Sequence, residues 1–138
     1  MAVRVLIADG SRTARDILRQ HLEIGGCQVV AETVTAQQAI DLYRTTRPQV
    51  VMLDIGLKSI DGQTALSVFR TIRRESPETS IVMVNAARRP DDARVFVRAG
   101  ALDCVVASFN SYAMALMWRR LSETYPELRR PNEPGSER

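Results

Sequence analysis

Lysine is nearly missing from this chain. Of its 19 basic residues, 18 are arginine, so Lys58 is the only side-chain ammonium in the sequence. Histidine is as scarce: His21 stands alone on a predicted first helix, without the four-helix context that a phosphotransfer histidine needs, and reads as a helix-surface or core-margin residue. Cysteine occurs only at Cys27 and Cys104. With no export signal ahead of the first strand pattern, both are expected to be free thiols in a reducing cytoplasm. Cys104, in an apolar strand, reads as a small buried residue. There is no Gly-rich phosphate loop, since Gly25-Gly26 has the form of a helix stop. No apolar run reaches the roughly 18 residues that a membrane span needs, so neither a span nor a secretory signal is expected.

What is present suits one globular domain. The 138 residues are 45% apolar and 25% charged, enough chain to bury about two-thirds of its unfolded surface. A net charge of +3 is mild. The arginines are scattered rather than gathered on one face, so no nucleic-acid partner is expected.

Five apolar runs alternate with five segments of helical periodicity. The runs are Val3–Ala8, Gln28–Glu32, Val50–Leu53, Ile81–Val84 and Cys104–Ala107. Near-continuous Val, Ile and Leu suits strands covered on both faces. Val29-Val30 is the shortest apolar stretch, which predicts an edge position for strand 2. Ser11 is placed to cap a first helix with Ala14, Ile17, Leu18 and Leu22 on one face, ended by Gly25-Gly26. Thr35 caps a second, with Ala36, Ala39, Ile40 and Tyr43 inward, stopped before Pro48. The third runs from about Gln63 to Glu75, using Ala65, Leu66, Phe69 and Ile72. Pro90 followed by Asp91 and Asp92 opens a fourth that ends at Gly100, and the fifth runs from about Ser111 to Thr124. Repeated βα units predict a doubly wound parallel sheet. Residues from Tyr125 to Arg138, with three prolines and alternating charge, read as a disordered tail.

Two carboxylates close apolar runs: Asp9 ends Val5–Asp9 (VLIAD) and Asp54 ends Val50–Asp54 (VVMLD). In an alternating α/β chain that puts both acids at the carboxyl ends of parallel strands, where such sheets bind ligands.

The stretch Pro48–Asp54 (PQVVMLD) continuing through Asp61-Gly62, together with Arg98–Ala101 (RAGA) before strand 5, resembles the receiver domain of bacterial two-component response regulators. The resemblance covers roughly residues 1–124. It implies a flavodoxin-like (βα)5 fold of five parallel strands with helices on both faces. It also implies that Asp54 is the phospho-acceptor, and that Asp9 and the Gly56 carbonyl join it around Mg²⁺. The pattern is incomplete. Gly10 stands where the second acid of the pair is expected, Asn85 where strand 4 carries a hydroxyl, and Ala107 where strand 5 carries the lysine. Cys104 replaces the strand 5 aromatic that couples to that hydroxyl, so neither half of the usual relay is kept. Losing one preorganised donor typically costs about 10²–10³ in rate. Such losses need not multiply in groups that act together, but little self-catalysed transfer is expected.

The alternative for Asp9 and Asp54 is local: acids whose hydrogen bonds to loop amides hold the two turns in shape. Lys58, Arg12 and Arg88 lie in loops near the same strand ends and are candidate substitutes for the lost lysine; otherwise they point to water. Asp61 with Gly62 reads as turn chemistry. Helix 5 has seven consecutive apolar residues from Tyr112 to Trp118. With Met114, Met117, Trp118 and Leu121 facing the sheet, Tyr112, Ala115 and Leu116 are left outward, pointing to a partner or homodimer surface on the helix 4–strand 5–helix 5 side. A helix sunk more deeply than usual is the other reading.

The expected function is that of a stand-alone, pseudo-receiver-type response regulator in the cytoplasm. It would act by contact with a histidine kinase or downstream target, with weak or no phosphorylation of Asp54. A conventional Mg²⁺-dependent phosphorylated regulator is the competing version. A small phosphohydrolase with Asp54 as nucleophile is more distant, because neither a general acid/base nor a phosphate clamp is evident. No catalytic residues are assigned.

Overall fold

A computed structural model describes residues 2–59, 61–84, 90–105 and 111–128. The elements follow in strict alternation: β1 Val3–Ala8, α1 Arg12–Ile24, β2 Cys27–Thr33, α2 Ala36–Thr46, β3 Val50–Asp54, α3 Ala65–Glu75, β4 Ser80–Val84, α4 Pro90–Arg98, β5 Asp103–Val105 and α5 Ser111–Thr124. All neighbouring strands pair in parallel, in the order β2-β1-β3-β4-β5. The chain moves outward from β1 to β2, then crosses back to β3 on the other side. The carboxyl ends of β1 and β3 therefore flank the point where the winding reverses, which opens a crevice there.

Every residue of β3 and β4 is buried, as their unbroken apolar sequences require. The core has two layers, one on each side of the sheet. On one side Ala14, Leu18 and Leu22 of α1 meet Met114, Met117, Trp118 and Leu121 of α5 across Val3, Val5 and Ile7 of β1. On the other, Leu6, Ala8, Val51 and Leu53 pack under α2, α3 and α4. There Phe69 and Phe96 meet edge-on, with ring centroids 5.3 Å apart, which ties α3 to α4. Strand alternation sorts the two sets of side chains to the two faces.

The helix starts follow local chemistry. Ser11 accepts from the Ala14 N–H and Thr35 from the Gln38 N–H, each from extended backbone. Thr64 and Ser67 form a reciprocal capping box, so α3 begins at Ala65, not near Gln63 as the apolar spacing suggested. Past the α1 end, Gly26 takes φ 104, the left-handed backbone that glycine adopts without steric cost.

β2 lies at an edge, as expected, and at seven residues it adds one residue to each end of the Gln28–Glu32 run. Backbone pairing to β1, with a register shift between Val5 and Leu6, extends it through polar positions. Two further expectations change. Cys104 is half-buried on β5, while Cys27 is buried; both are free thiols. Burial pushes the Cys27 thiol up to about 12 and, with Asp103 beside it, Cys104 up to about 11, so neither is a ready thiolate. Finally, the polar stretch read as a tail from Tyr125 is docked at its start. The Tyr125 hydroxyl donates to the Gln49 carbonyl at 3.0 Å and pairs with Ser80 Oγ at 2.9 Å. Leu128 is 6% exposed and packs into the α1–α5 core. The packed unit thus reaches at least Leu128. Among the described residues, no helix is long and apolar enough to cross a membrane.

Candidate functional site

Asp9 directly follows β1, and every polar group of its backbone is engaged. Its N–H donates to the Thr33 carbonyl at 3.0 Å, and its carbonyl accepts from Arg15 Nη1 at 2.8 Å. The side chain is fully buried. Oδ1 accepts the Ser11 N–H at 2.8 Å, whereas Oδ2 is buried with no hydrogen-bond donor directed at it. Asp54 ends β3 and is 7% exposed. Its Oδ1 accepts the Gly56 N–H at 2.8 Å, and its carbonyl accepts from Leu57 at 3.1 Å.

The two carboxyls face each other across the crevice. Burial first, then the charge and contact of Asp54, push Asp9 up to about 6; the Ser11 amide and the Arg15 guanidinium pull the other way. When both are ionised, each is only an acceptor, and a hydrogen bond between them forms only when one carries a proton. The site therefore holds an acid pair that favours a shared proton or a cation.

Local bonds to loop amides, one of the two readings of these acids, are both present, at Ser11 and Gly56. They leave Asp9 Oδ2 unengaged, so they do not account for the whole site. The residues fit a hard cation such as Mg²⁺ on two counts. Asp9 presents an orphaned buried oxygen beside a second carboxylate, and the place of the missing acid is open: a Cβ built on Gly10 meets nothing within 4 Å. Mg²⁺ usually takes one or two carboxylates and fills the rest with water and phosphate oxygens. The donor set is nonetheless short. Among the described residues, no group of three His, Cys, Asp or Glu side chains is placed to hold a metal ion.

Of the cations named from the sequence, Arg12 and Lys58 lie among the described residues. Arg12 is exposed and turns to Asp16 at 3.9 Å, one helical turn along. Lys58 is exposed; its backbone pairs with Thr35, and its carbonyl accepts the Ala36 N–H at 3.0 Å. Arg88, Asn85 and Ala107 lie outside the described residues. Among the described residues, the guanidinium that bears on Asp9 is Arg15, one turn inside α1. Sequence reasoning looked for cations in loops and passed over it. The available signal was an arginine beside the inward-facing Ala14, a turn beyond the cap, on a helix whose start adjoins the β1 end.

Asp61 makes the turn expected of it, its Oδ1 accepting from the Gln63 N–H at 3.2 Å and from Gln37, with Gly62 at φ 85. His21 is half-buried on α1. On α5, Tyr112 is 76% and Leu116 38% exposed, with Ala115 also outward, while Met114, Met117, Trp118 and Leu121 are buried as their spacing predicted. Val95 and Val97 of α4 are exposed too, an apolar pair that the sequence reading did not single out. Cys104 on β5 sits with Sγ 3.7 Å from the Ala93 carbonyl of α4.

This arrangement, two acids at the switch point of a β2-β1-β3-β4-β5 parallel sheet, agrees with the comparisons to known proteins. Residues 5–117 match the response regulator receiver domain family. The chain is 32% identical to the chemotaxis protein CheY of Bacillus subtilis over 111 residues, covering 80% of this chain and 90% of that one. It is 30% identical to the response regulator MprA of Mycolicibacterium vanbaalenii, over 92% of this chain but 54% of the longer relative. Among solved structures, a LuxR-family two-component response regulator from an Aurantimonas species superposes with a TM-score of 0.72 at 26% identity, covering 88% of this chain and 87% of the other. The chain belongs to the response regulator receiver domain family, a signalling module of two-component systems.

Proposed function

We propose that the chain is an atypical receiver, working in the cytoplasm chiefly through protein contact, with Asp54 as a poor phosphoryl acceptor. The observation that carries this reading is the Asp9–Asp54 pair: two carboxyls retained at the switch point, with Gly10 leaving the third acid's place empty. In phosphoryl transfer the Asp54 oxygen would form its bond to phosphorus as the donor's phosphorus–nitrogen bond breaks, leaving an acyl phosphate. Catalysis of that step is mostly positioning and charge neutralisation. Mg²⁺, when bound by Asp9, Asp54 and the Gly56 carbonyl, supplies part of that neutralisation. Gly10, Asn85 and Ala107 remove an acid, a hydroxyl and an ammonium from the same task, which supports slow transfer and weak metal binding. The module turns over no substrate of its own.

Its partners are a histidine kinase or a downstream target. The exposed apolar residues Tyr112, Ala115 and Leu116, with Val95 and Val97, support contact through the α4-β5-α5 side, and a homodimer through that side is one form of it.

The test is an amide NMR titration with Mg²⁺, then Mg²⁺ plus beryllofluoride, following Ser11 and Gly56, whose N–H groups bond the two carboxylates. Millimolar or weaker Mg²⁺ binding, with shifts confined to those loops, is the expected result. Tight binding with shifts spreading to α4 and α5 would instead mark a conventional phosphorylated regulator.

A further inference from the structure

Around Asp9 the charged groups form one connected chain. Arg15 Nη1 holds the Asp9 carbonyl at 2.8 Å, and Arg15 Nε lies 3.5 Å from a carboxylate oxygen of Glu32, on the edge strand β2. Glu32 also accepts from Arg19, which reaches Asp16 at 3.8 Å, and Asp16 faces Arg12 at 3.9 Å. Arg15 is the member turned inward, its side chain only 16% exposed. Of the guanidiniums in this chain of charges, it alone acts on the Asp9 carboxyl. An arginine cannot shed its proton, so this charge is permanent.

We propose that Arg15, positioned by Glu32, is a standing cation of the Asp9–Asp54 site: it opposes the entry of Mg²⁺ and favours a phosphoryl-like anion on Asp54. The inference rests on the reading of Asp54 as an acceptor only for its anion half; the metal half stands on the acid pair alone. A receiver with a third carboxylate and a lysine divides its charge between metal and ammonium. Here one acid and the lysine are gone, and a fixed guanidinium held on the Asp9 backbone, with its charge felt at the Asp9 carboxyl, leaves a smaller negative charge for a metal to meet. At the low effective dielectric of a buried site, one full nearby charge changes an ion's affinity by about tenfold or more. Arg15 is a positioning and electrostatic residue, not a catalytic one.

The two halves move in opposite directions, which separates charge from mere support of the β1 turn. Mg²⁺ and beryllofluoride affinities would be measured for the full chain and for R15Q, R15K and E32Q through the Ser11 and Gly56 amide shifts. R15Q is expected to bind Mg²⁺ about tenfold more tightly and, at saturating Mg²⁺, beryllofluoride about tenfold more weakly. E32Q, which frees Arg15, should shift both in the same senses by less. R15K keeps the charge without the fork and should return Mg²⁺ affinity toward that of the original chain. Weakening of both ligands in R15Q, or Mg²⁺ affinity unchanged within about twofold in both R15Q and E32Q, would overturn the proposal. If the original chain takes up no beryllofluoride, it is the acceptor reading that fails, and the Mg²⁺ arm alone decides on Arg15.

Discussion

The indole of Trp118 occupies the space that a side chain on Gly25 would need: a Cβ built there comes within 2.1 Å of Cη2 and 2.5 Å of Cζ2. Gly25 has ordinary right-handed backbone, φ −79 and ψ −4, so contact with the ring, not conformation, demands glycine. Alanine gains up to about 1 kcal/mol of helix propensity over glycine, but overpacking a buried ring typically costs about 1–3 kcal/mol. Trp118 is only 3% exposed and cannot swing aside, so the clash wins. G25A is expected to lose about 1–2 kcal/mol in urea unfolding followed by Trp118 fluorescence. In a W118L background, followed by circular dichroism, the same change should cost far less; an equal loss in both backgrounds would exclude the ring as the cause.

The burial of Asp9 beside Asp54 predicts an unusual pH dependence. Asp9 rises from an ordinary 3.8 to about 6 in the folded protein, so the folded chain holds this proton more tightly than the unfolded one. Its contribution is fully present below pH 3.8 and declines as pH rises through about 6. The full span is at most about 3 kcal/mol, and the Arg15 charge is already included in that shift. D9N removes the ionisation while keeping the shape. It should flatten the fall in stability between pH 4 and 7 and make the protein about 1–2 kcal/mol more stable at pH 7. Denaturation midpoints of both proteins at pH 5 and pH 8 decide it; a variant that stays parallel to the original chain argues against a desolvated Asp9.

Gly10 offers the reverse experiment. Its backbone is not among the left-handed glycines, and a Cβ there meets no atom within 4 Å. G10D should therefore fold and return an acid to the open side of the pair. A third carboxylate raises the demand for a cation, so Mg²⁺ affinity should increase by about tenfold or more, while stability without metal falls by about 1 kcal/mol through like-charge repulsion. Thermal melts with and without Mg²⁺ read both effects. Mg²⁺ that fails to raise the melting temperature of G10D more than that of the original chain would mean that the pair is not a metal site.

How much of this was legible in the sequence depends on whether a feature is local. Caps at Ser11 and Thr35, the glycine stop after α1 and the burial of Met114, Met117 and Trp118 follow from spacing alone, and the structure keeps them. The β1 and β3 acids were equally visible, because an apolar run that ends in Asp within repeated βα units fixes their end of the sheet. Arg15 was not. Its place is set by reaching back to the Asp9 carbonyl and across to Glu32 on another strand, and no local pattern encodes that reach. Nor was the docking of Tyr125 and Leu128, since two isolated non-polar residues in a polar, proline-rich run carry no periodicity. Their partners, Gln49, Ser80 and the α1–α5 core, lie far away along the chain.

That docking makes Tyr125 and Leu128 part of the folded unit. The Tyr125 hydroxyl donates to the Gln49 carbonyl ahead of β3 and pairs with Ser80 Oγ at the start of β4, so one side chain ties the end of α5 to two central strands. Y125F removes both bonds while keeping the ring and should cost about 1–2 kcal/mol. L128A leaves a void beside Gly26, where a Leu128 methyl carbon lies 3.8 Å from a built Cβ. Because the site lies at the margin of the core, its cost should fall near the lower end of the usual range, about 2 kcal/mol. Truncation after Thr124 removes both contacts and should leave the chain about 3–4 kcal/mol less stable than truncation after Leu128. Urea unfolding of the two truncated chains gives the comparison directly, and equal stabilities would return residues 125–128 to the tail.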